Sequence, residues 1–328
     1  MKKMQSINFN KKLIDDGGLD NKPLVSIVVT TKNEEKNISH CLESIVAQSY
    51  KRIEIIVVDN FSTDDTEILA RKFTSNFFLL GPERSAQRNF GMLEVASGKY
   101  LMYIDADMIL SPLLVQVCVD RLENTMYSSL YIPEIILGNT LFSRARRLER
   151  AFYDGTPIDG SRFFRADIFK KVGGFDANLF SVGSGEDWDL DKSIKKTGHI
   201  GQILPGDINA YDSEKWRLEN FIKTRHHGYL QNEVCIYHNE DEFNLRTYLK
   251  KKSYYSKGFA GYIKKWGAND PDIKKQFSLK YRYWTVFIEN GKWKRAANNL
   301  TLMSVVFFLR VMVGIVFLLS RNKIRLSL

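Results

Sequence analysis

The sequence predicts an α/β fold built on a mainly parallel sheet, and three observations carry that prediction. Short β-rich runs alternate with helical periodicity from Leu24 to about Gly206. Three successive runs stop in polar residues at Thr30, Asp59 and Asp105, and in open α/β sheets such strand exits line one ligand crevice. At 328 residues the chain is long for one compact domain, so one large domain plus an appendage is expected.

Taken in order, Met1 to Lys22 is polar and reads as a loose arm (1–22) without the apolar core of an export signal. Val25 to Thr30 is the first strand. Ile38, Cys41, Leu42, Ile45 and Val46 then recur at helical spacing with one apolar stripe. Ile53 to Val58 is a second strand, and Ser62-Thr63-Asp64-Asp65 is a helix start whose hydroxyls and acids suit the positive end of the helix dipole. Phe77 to Leu80 is a weaker strand, Ser85 to Val95 a helix, and Lys99 to Ile104 the strand that ends in Asp105-Ala106-Asp107. Residues two apart in an extended segment share a face, so both carboxylates of this D-x-D element point beyond the strand end. Converging carboxylates are tolerated when a hard divalent ion joins them to a polyphosphate.

A second acidic cluster, Glu186-Asp187-Trp188-Asp189-Leu190-Asp191, follows a Gly-Gly-Phe-Asp turn at Gly173 to Asp176. Leu190 and Ile194, four apart, anchor a helix whose first turn holds Glu186 and Asp187. A carboxylate there can take a proton from an attacking hydroxyl, or it can simply satisfy the helix N-terminus. Asp189 and Asp191 are expected on a solvated face.

The net charge of +10 favours an anionic partner without choosing among nucleic acid, lipid surface and phosphorylated substrate. Three scattered cysteines exclude a disulfide framework or a zinc site and fit a reducing compartment. Leu302 to Leu319 is nearly unbroken apolar sequence, about the minimum length to cross a bilayer, but Arg310 interrupts it. Basic residues flank both ends, Lys292, Lys294 and Arg295 before and Arg321, Lys323 and Arg325 after, so charge selects no orientation. Lysines alternate with Tyr254, Tyr255, Phe259, Tyr262 and Trp266, a pattern suited to the headgroup zone of an anionic membrane or to an amphipathic helix packed on the main domain.

Five pieces in order resemble the family 2 glycosyltransferases, which have the GT-A fold: V-S-I-V-V-T-T-K-N-E (25–34), V-V-D-N-F-S-T-D-D-T (57–66), R-N-F-G (88–91), D-A-D (105–107), and G-G-F-D followed by G-E-D-W-D-L (185–190). The resemblance implies a catalytic domain over 23–240 and a helical, membrane-associating region over 241–328. It places Thr30, Lys32, Glu34, Asp59, Asn60, Arg88 and Asp105 about the donor nucleotide, although Lys32 stands where many members carry an aromatic residue and Asn60 where a second aspartate is frequent. It makes Asp107, with Asp105, the holder of Mn2+ or Mg2+, and Asp187, beside Glu186, the general base. His238 becomes a candidate further ligand, with a structural histidine as the alternative. The implied activity is an inverting hexosyltransferase that moves one sugar from a UDP- or GDP-sugar to a lipid-linked or glycan acceptor at the cytoplasmic face of the cell membrane. No Q-x-x-R-W element of processive synthases is present, and no nucleic-acid-binding module. The competing readings are an anionic-polymer or nucleic-acid binding protein, and a nucleotidyltransferase that forms sugar nucleotides.

Overall fold

A computed structural model describes residues 21–180, 185–204, 216–226 and 234–325, with side chains as far as 319. The expected arm (residues 1–20), the change of character at Gly206 and the side chains of Arg321, Lys323 and Arg325 lie outside these residues. The first half runs β1 (Val25–Thr31), α1 (Ile38–Val46), β2 (Ile53–Asp59), α2 (Thr66–Ala70), β3 (Phe77–Leu79), α3 (Arg84–Asn89), β4 (Tyr100–Asp105), β5 (Met108–Leu110), α4 (Leu114–Glu123), β6 (Tyr127–Tyr131), β7 (Glu134–Leu137) and α5 (Leu141–Arg150). Then follow β8 (Ser161–Arg165), α6 (Ala166–Val172), α7 (Glu186–Lys195), β9 (His199–Gln202), α8 (Glu219–Arg225) and β10 (Ile236–Asn239). The C-terminal helices are α9 (Leu245–Tyr255), α10 (Phe259–Trp266), α11 (Pro271–Phe277), α12 (Val286–Ile288), α13 (Trp293–Ala297) and α14 (Leu300–Arg325).

The main sheet has the order β3-β2-β1-β4-β8-β6-β9, parallel through β3, β2, β1 and β4, with β8 antiparallel to both neighbours. β1 is buried along its whole length, as a Val/Ile-rich strand covered on both faces must be. Its side chains alternate: Val25, Ile27 and Val29 join α1 and α4 in one core, and Val28 joins Met92, Phe164 and Phe169 in the other. The α1 stripe of Ile38, Cys41, Leu42 and Ile45 is buried as its spacing predicts. The expected helix over 85–95 is instead the short α3 followed by a wider π-helical turn at Phe90–Val95.

A second sheet, β5-β10-β7, stands beside the first. It brings a strand from beyond residue 234 back against the segment that follows the D-x-D element, pairing His238 with Met108. The C-terminal helices dock on α5 through Ala145, Leu148, Phe152, Phe287, Met303 and Val306.

Two expectations are corrected here. Asp189 and Asp191 are not solvated: both are buried. Asp189 accepts from Lys265 Nζ at 2.8 Å and Trp266 Nε1 at 2.6 Å, and Asp191 accepts from the Ser161 amide and hydroxyl. The aromatic run of α9 and α10 is turned partly inward as well, although no residue of α9 is buried. Tyr262 is fully buried, and Phe259 stacks on Trp188 with ring centroids 5.7 Å apart, while Tyr254 alone of the five lies open.

Candidate active site

The strand register builds the crevice. Thr30 pairs with Asp105 and Thr31 with Asp59, so the three expected exits are level at one edge of the sheet. Thr30 Oγ1 donates to Asp105 Oδ1 at 3.2 Å. Asp59 is buried and accepts from the Ser62 amide at 2.7 Å and from its hydroxyl, which fixes the loop that enters α2. Asn60 donates to the Pro82 carbonyl at 3.0 Å. Glu34 accepts from Asn37 at 2.8 Å, and burial with the nearby Asp107 and Asp105 raises its pKa. Lys32 is exposed at the rim.

Arg88 joins the two acidic clusters. Arg84 and Arg88 are one turn apart on α3, whose start is capped by Glu83, so both guanidinium groups reach the same side. Arg88, 2% exposed, contacts Asp105 Oδ1 at 2.9 Å, Asp187 Oδ1 at 3.4 Å and Glu186 Oε1 at 3.6 Å, and it lies 4.3 Å over the Tyr103 ring. Arg84 pairs with Glu186. Burial pushes the Asp105 carboxyl up, but Arg88, Arg162 and Arg84 overcome it and hold the group well below the usual carboxylate range. Glu186 goes the other way, raised by burial and then by Asp187. The structure thus keeps Glu186 inside as a partner for α3, whereas Asp187, its side chain 31% exposed, faces a cavity.

Asp187 is held from two sides. Tyr103 donates its hydroxyl to Oδ1 at 2.7 Å, and Gly160 leaves room for close approach, since a Cβ there would meet the Asp187 Cβ at 2.8 Å. Tyr103 sits two residues before Asp105 on the same face of β4, so one strand supports both carboxylate groups.

At the other end of the D-x-D element, His238 Nε2 is 3.1 Å from Asp107 Oδ2 and its Nδ1 is 3.0 Å from Glu134 Oε1. Both partners only accept, so both ring nitrogens carry protons. Burial lowers the imidazolium pKa, but the two carboxylates raise it well above the ordinary value. Glu134 in turn pairs with Arg150 and Arg162.

No group of three or more His, Cys, Asp or Glu side chains is poised as a complete metal site among the described residues. A divalent ion nevertheless fits at Asp107. Its Oδ1 is buried without a hydrogen-bond partner, and an octahedral ion bound to a diphosphate needs only one or two protein oxygens or nitrogens. Nε2 of His238 can join once its proton leaves, with Nδ1–H retained on Glu134 to fix the ring.

The sequence reading did not single out Glu134, Tyr103, Arg84 and Arg162. Glu134 had a signal, a lone acid in the apolar run Leu130 to Leu137. Tyr103 had one in its even spacing to Asp105. The two arginines had none beyond the Arg84–Arg88 interval.

The sequence profile described as glycosyl transferase family 2 matches residues 26–175. Glycosyltransferase GlyA of Streptococcus pneumoniae serotype 4 is 30% identical over 230 residues, 68% of this chain and 30% of its own length. The Escherichia coli UDP-Glc:alpha-D-GlcNAc-diphosphoundecaprenol beta-1,3-glucosyltransferase WfaP is 33% identical over 88 residues, 26% of this chain and 35% of that protein. The chain spans about a third of the length of the curated relatives it matches. Mannosyltransferase PcManGT of Pyrobaculum calidifontis, solved with GDP-Man and Mn2+, superposes with a TM-score of 0.55 at 16% identity, covering 93% of this chain and 87% of that one. Family profile and relatives agree that the chain belongs to glycosyl transferase family 2, and its fold has the GT-A architecture.

Proposed function

We propose that the protein is an inverting, metal-dependent glycosyltransferase that moves one hexose from a UDP- or GDP-sugar to a hydroxyl of a lipid-linked glycan at the cytoplasmic face of the cell membrane. The observation that carries this reading is the Arg88–Tyr103 bridge, which ties Asp105 at the donor crevice to Asp187 at the adjoining cavity. Thr30, Asp59, Asn60 and Asp105 form the nucleotide edge. Asp107 and His238 would hold Mn2+ or Mg2+, which when bound neutralises charge on the departing diphosphate. Tyr103 and Arg88 occupy Oδ1 of Asp187, which leaves Oδ2 to take the acceptor proton. The acceptor oxygen then bonds to the anomeric carbon from the face opposite the leaving group, the carbon–phosphate-oxygen bond breaks, and the configuration inverts. An aspartate is a weak base toward an alcohol, so proton transfer runs late, with the attack.

PcManGT and WfaP support this reading, the first through its GDP-Man and Mn2+ and the second through its named diphosphoundecaprenol-linked acceptor. Membrane association rests on α14, of which Leu300–Leu319 is long and apolar enough to cross a bilayer and is 22% buried. Phe308, Val311, Ile315, Leu318 and Leu319 are about half exposed along it, and each gains part of the about 1.5–3 kcal/mol that moving such a side chain fully out of water brings. Arg310 does not oppose this. An isolated arginine at mid-bilayer costs about 2.5–3.5 kcal/mol, but here it is buried against α5, paired with Glu149 at 2.9 Å and bonded to Tyr153.

The test is a panel of UDP- and GDP-sugars with Mn2+ or Mg2+, scored for nucleoside diphosphate release and for transfer to lipid-linked glycans, with the anomeric configuration of the product determined. Metal-dependent release and an inverted product are expected. A panel without turnover, combined with salt-sensitive oligonucleotide binding, contradicts the proposal, as does pyrophosphate release from a nucleoside triphosphate and a sugar phosphate. Liposome flotation with and without residues beyond 300 tests the anchor.

A further inference from the structure

The cavity that Asp187 faces has a volume of about 420 Å³, within the range of small-ligand sites. Three helices close it, each with a stripe at helical spacing. α5 and the turn after it present Arg146, Glu149, Arg150 and Tyr153; α9 presents Tyr248, Lys252 and Tyr255; and α14 presents Arg310, Val313, Gly314 and Phe317.

Its charge is unbalanced. Six basic side chains line the walls against three acidic ones, and the three acids are already engaged. Glu134 and Glu149 pair with Arg150, Arg162, Arg146 and Arg310, and Asp187 with Arg88, while Glu240 and Asp159, behind the lining, also meet Arg146 and Arg150. Among the described residues neither Lys252 nor Arg282 forms an ion pair with a carboxylate. Lys252 rests over the Tyr248 and Tyr255 rings, 5.3 and 5.6 Å from their centroids, and Arg282 gives its Nε to the Gln276 carbonyl at 2.7 Å. Arg310, 8% exposed, keeps a buried Nη1 without a hydrogen-bond partner. A buried cation costs several kcal/mol unless an anion meets it, and among the described residues Lys252 and Arg282 are the lining cations that no carboxylate meets. In keeping with that, burial, helped by the charge of Arg146, pulls the Lys252 ammonium down to about 7.

We propose that Lys252, Arg282 and the free Nη1 of Arg310 form a subsite for the phosphate or diphosphate of a lipid-linked acceptor. The lipid, rather than a free anion, is indicated by what lies next to the cations. Val313, Phe317, Phe259 and Leu279 complete the lining, Leu279 is 75% exposed, and Phe317 lies on the helix whose exposed face is apolar. An amphiphile held this way keeps its chain along α14 while its sugar hydroxyl meets Asp187. The phosphate is then a handle and the hydroxyl the nucleophile. This inference rests on the transferase reading above and adds to it the group by which the acceptor is gripped.

The experiment uses the detergent-solubilised full chain without divalent metal and follows binding by calorimetry, with farnesyl diphosphate, farnesol and inorganic pyrophosphate as probes. Farnesyl diphosphate is expected to bind at least about tenfold more tightly than either of the others, because only it engages both the cations and the apolar end. Lys252→Met and Arg282→Gln are each expected to weaken it by about tenfold, the scale of one charge-assisted hydrogen bond, without changing farnesol binding. Lys252→Arg should restore most of the loss, which separates lost charge from misfolding. Equal affinity for farnesyl diphosphate and farnesol, or for farnesyl diphosphate and pyrophosphate, overturns the proposal, and so do variants that bind like the parent chain. Sugar-nucleotide turnover, measured in parallel, keeps the two readings apart: turnover without a diphosphate preference removes the subsite alone, and the preference without turnover removes the transferase reading alone.

Discussion

The donor crevice and the helical cavity differ in the charge of the buried groups they leave unsatisfied. At the crevice the acceptor Asp107 Oδ1 is buried and unpaired in a cluster of acids, as are Thr31 Oγ1 and, on the bridging arginine, Nε of Arg88. In the cavity the unpaired buried atoms include donors, Nη1 of Arg310 and Nη1 of Arg162. Buried polar groups without partners are expensive, and the proposed cation in the first region and the proposed anion in the second would each satisfy one of them. Between them Arg88 contacts both Asp105 and Asp187, and Tyr103 donates to Asp187, so the two regions are joined through one buried cation.

Removing the bridge should produce the largest effect. Arg88→Met leaves Asp105, Asp187 and Glu186 without their common cation, and breaking a buried ion pair in this way costs about 3–5 kcal/mol. Thermal denaturation should show a clear loss of stability, together with loss of transfer. A variant as stable as the parent would mean that the two regions are independent. The next largest change is expected from Asp107→Asn, which should weaken nucleotide-dependent Mn2+ binding by more than about 100-fold, beyond the range for supporting residues, as read by electron paramagnetic resonance. Glu134→Gln should weaken it by about 10–100-fold, because it loosens His238 without removing a ligand. Unchanged affinity in both variants would place the ion elsewhere.

The smallest effect belongs to Asp191, where α7 meets β8 outside both regions. Burial raises the Asp191 carboxyl to about 7, above its unfolded value of about 3.9. The folded state therefore holds a proton that the unfolded chain has lost between those values, and stability falls as pH rises from about 4 toward 7. Asp191→Asn mimics the protonated form and can still accept from Ser161. It should raise the melting temperature most at pH 8 and progressively less toward pH 4. An equal gain at both pH values would refute the assignment.

What was legible in the sequence was local. The alternation of Val25 to Thr30, the stripe of α1, the D-x-D strand end and the Glu186–Asp187 helix start each follow from spacing within a dozen residues, and the register of β1, β2 and β4 aligned them as parallel strands must. What was not legible depends on partners far along the chain. His238 reaches Asp107 because β10 pairs with β5, a contact across 131 residues that no periodicity reports. Asp189 resembled a solvated acid because Lys265 and Trp266, which bury it, arrive more than 70 residues later. The aromatics of α10 resembled a membrane face for the same reason, since Trp188 and Phe277 receive them. Arg310 looked like a flaw in an apolar span, and Glu149 on α5 makes it a joint between the catalytic domain and the last helix.

In the proposed reaction Asp187 takes the acceptor proton while Arg88 joins it to the donor crevice. The most direct measurement compares transfer rate and donor affinity in the parent chain and in Asp187→Asn, with the same sugar nucleotide and metal. The account predicts a rate lower by about 10²–10⁴-fold with donor affinity unchanged. Turnover retained in the variant would contradict it.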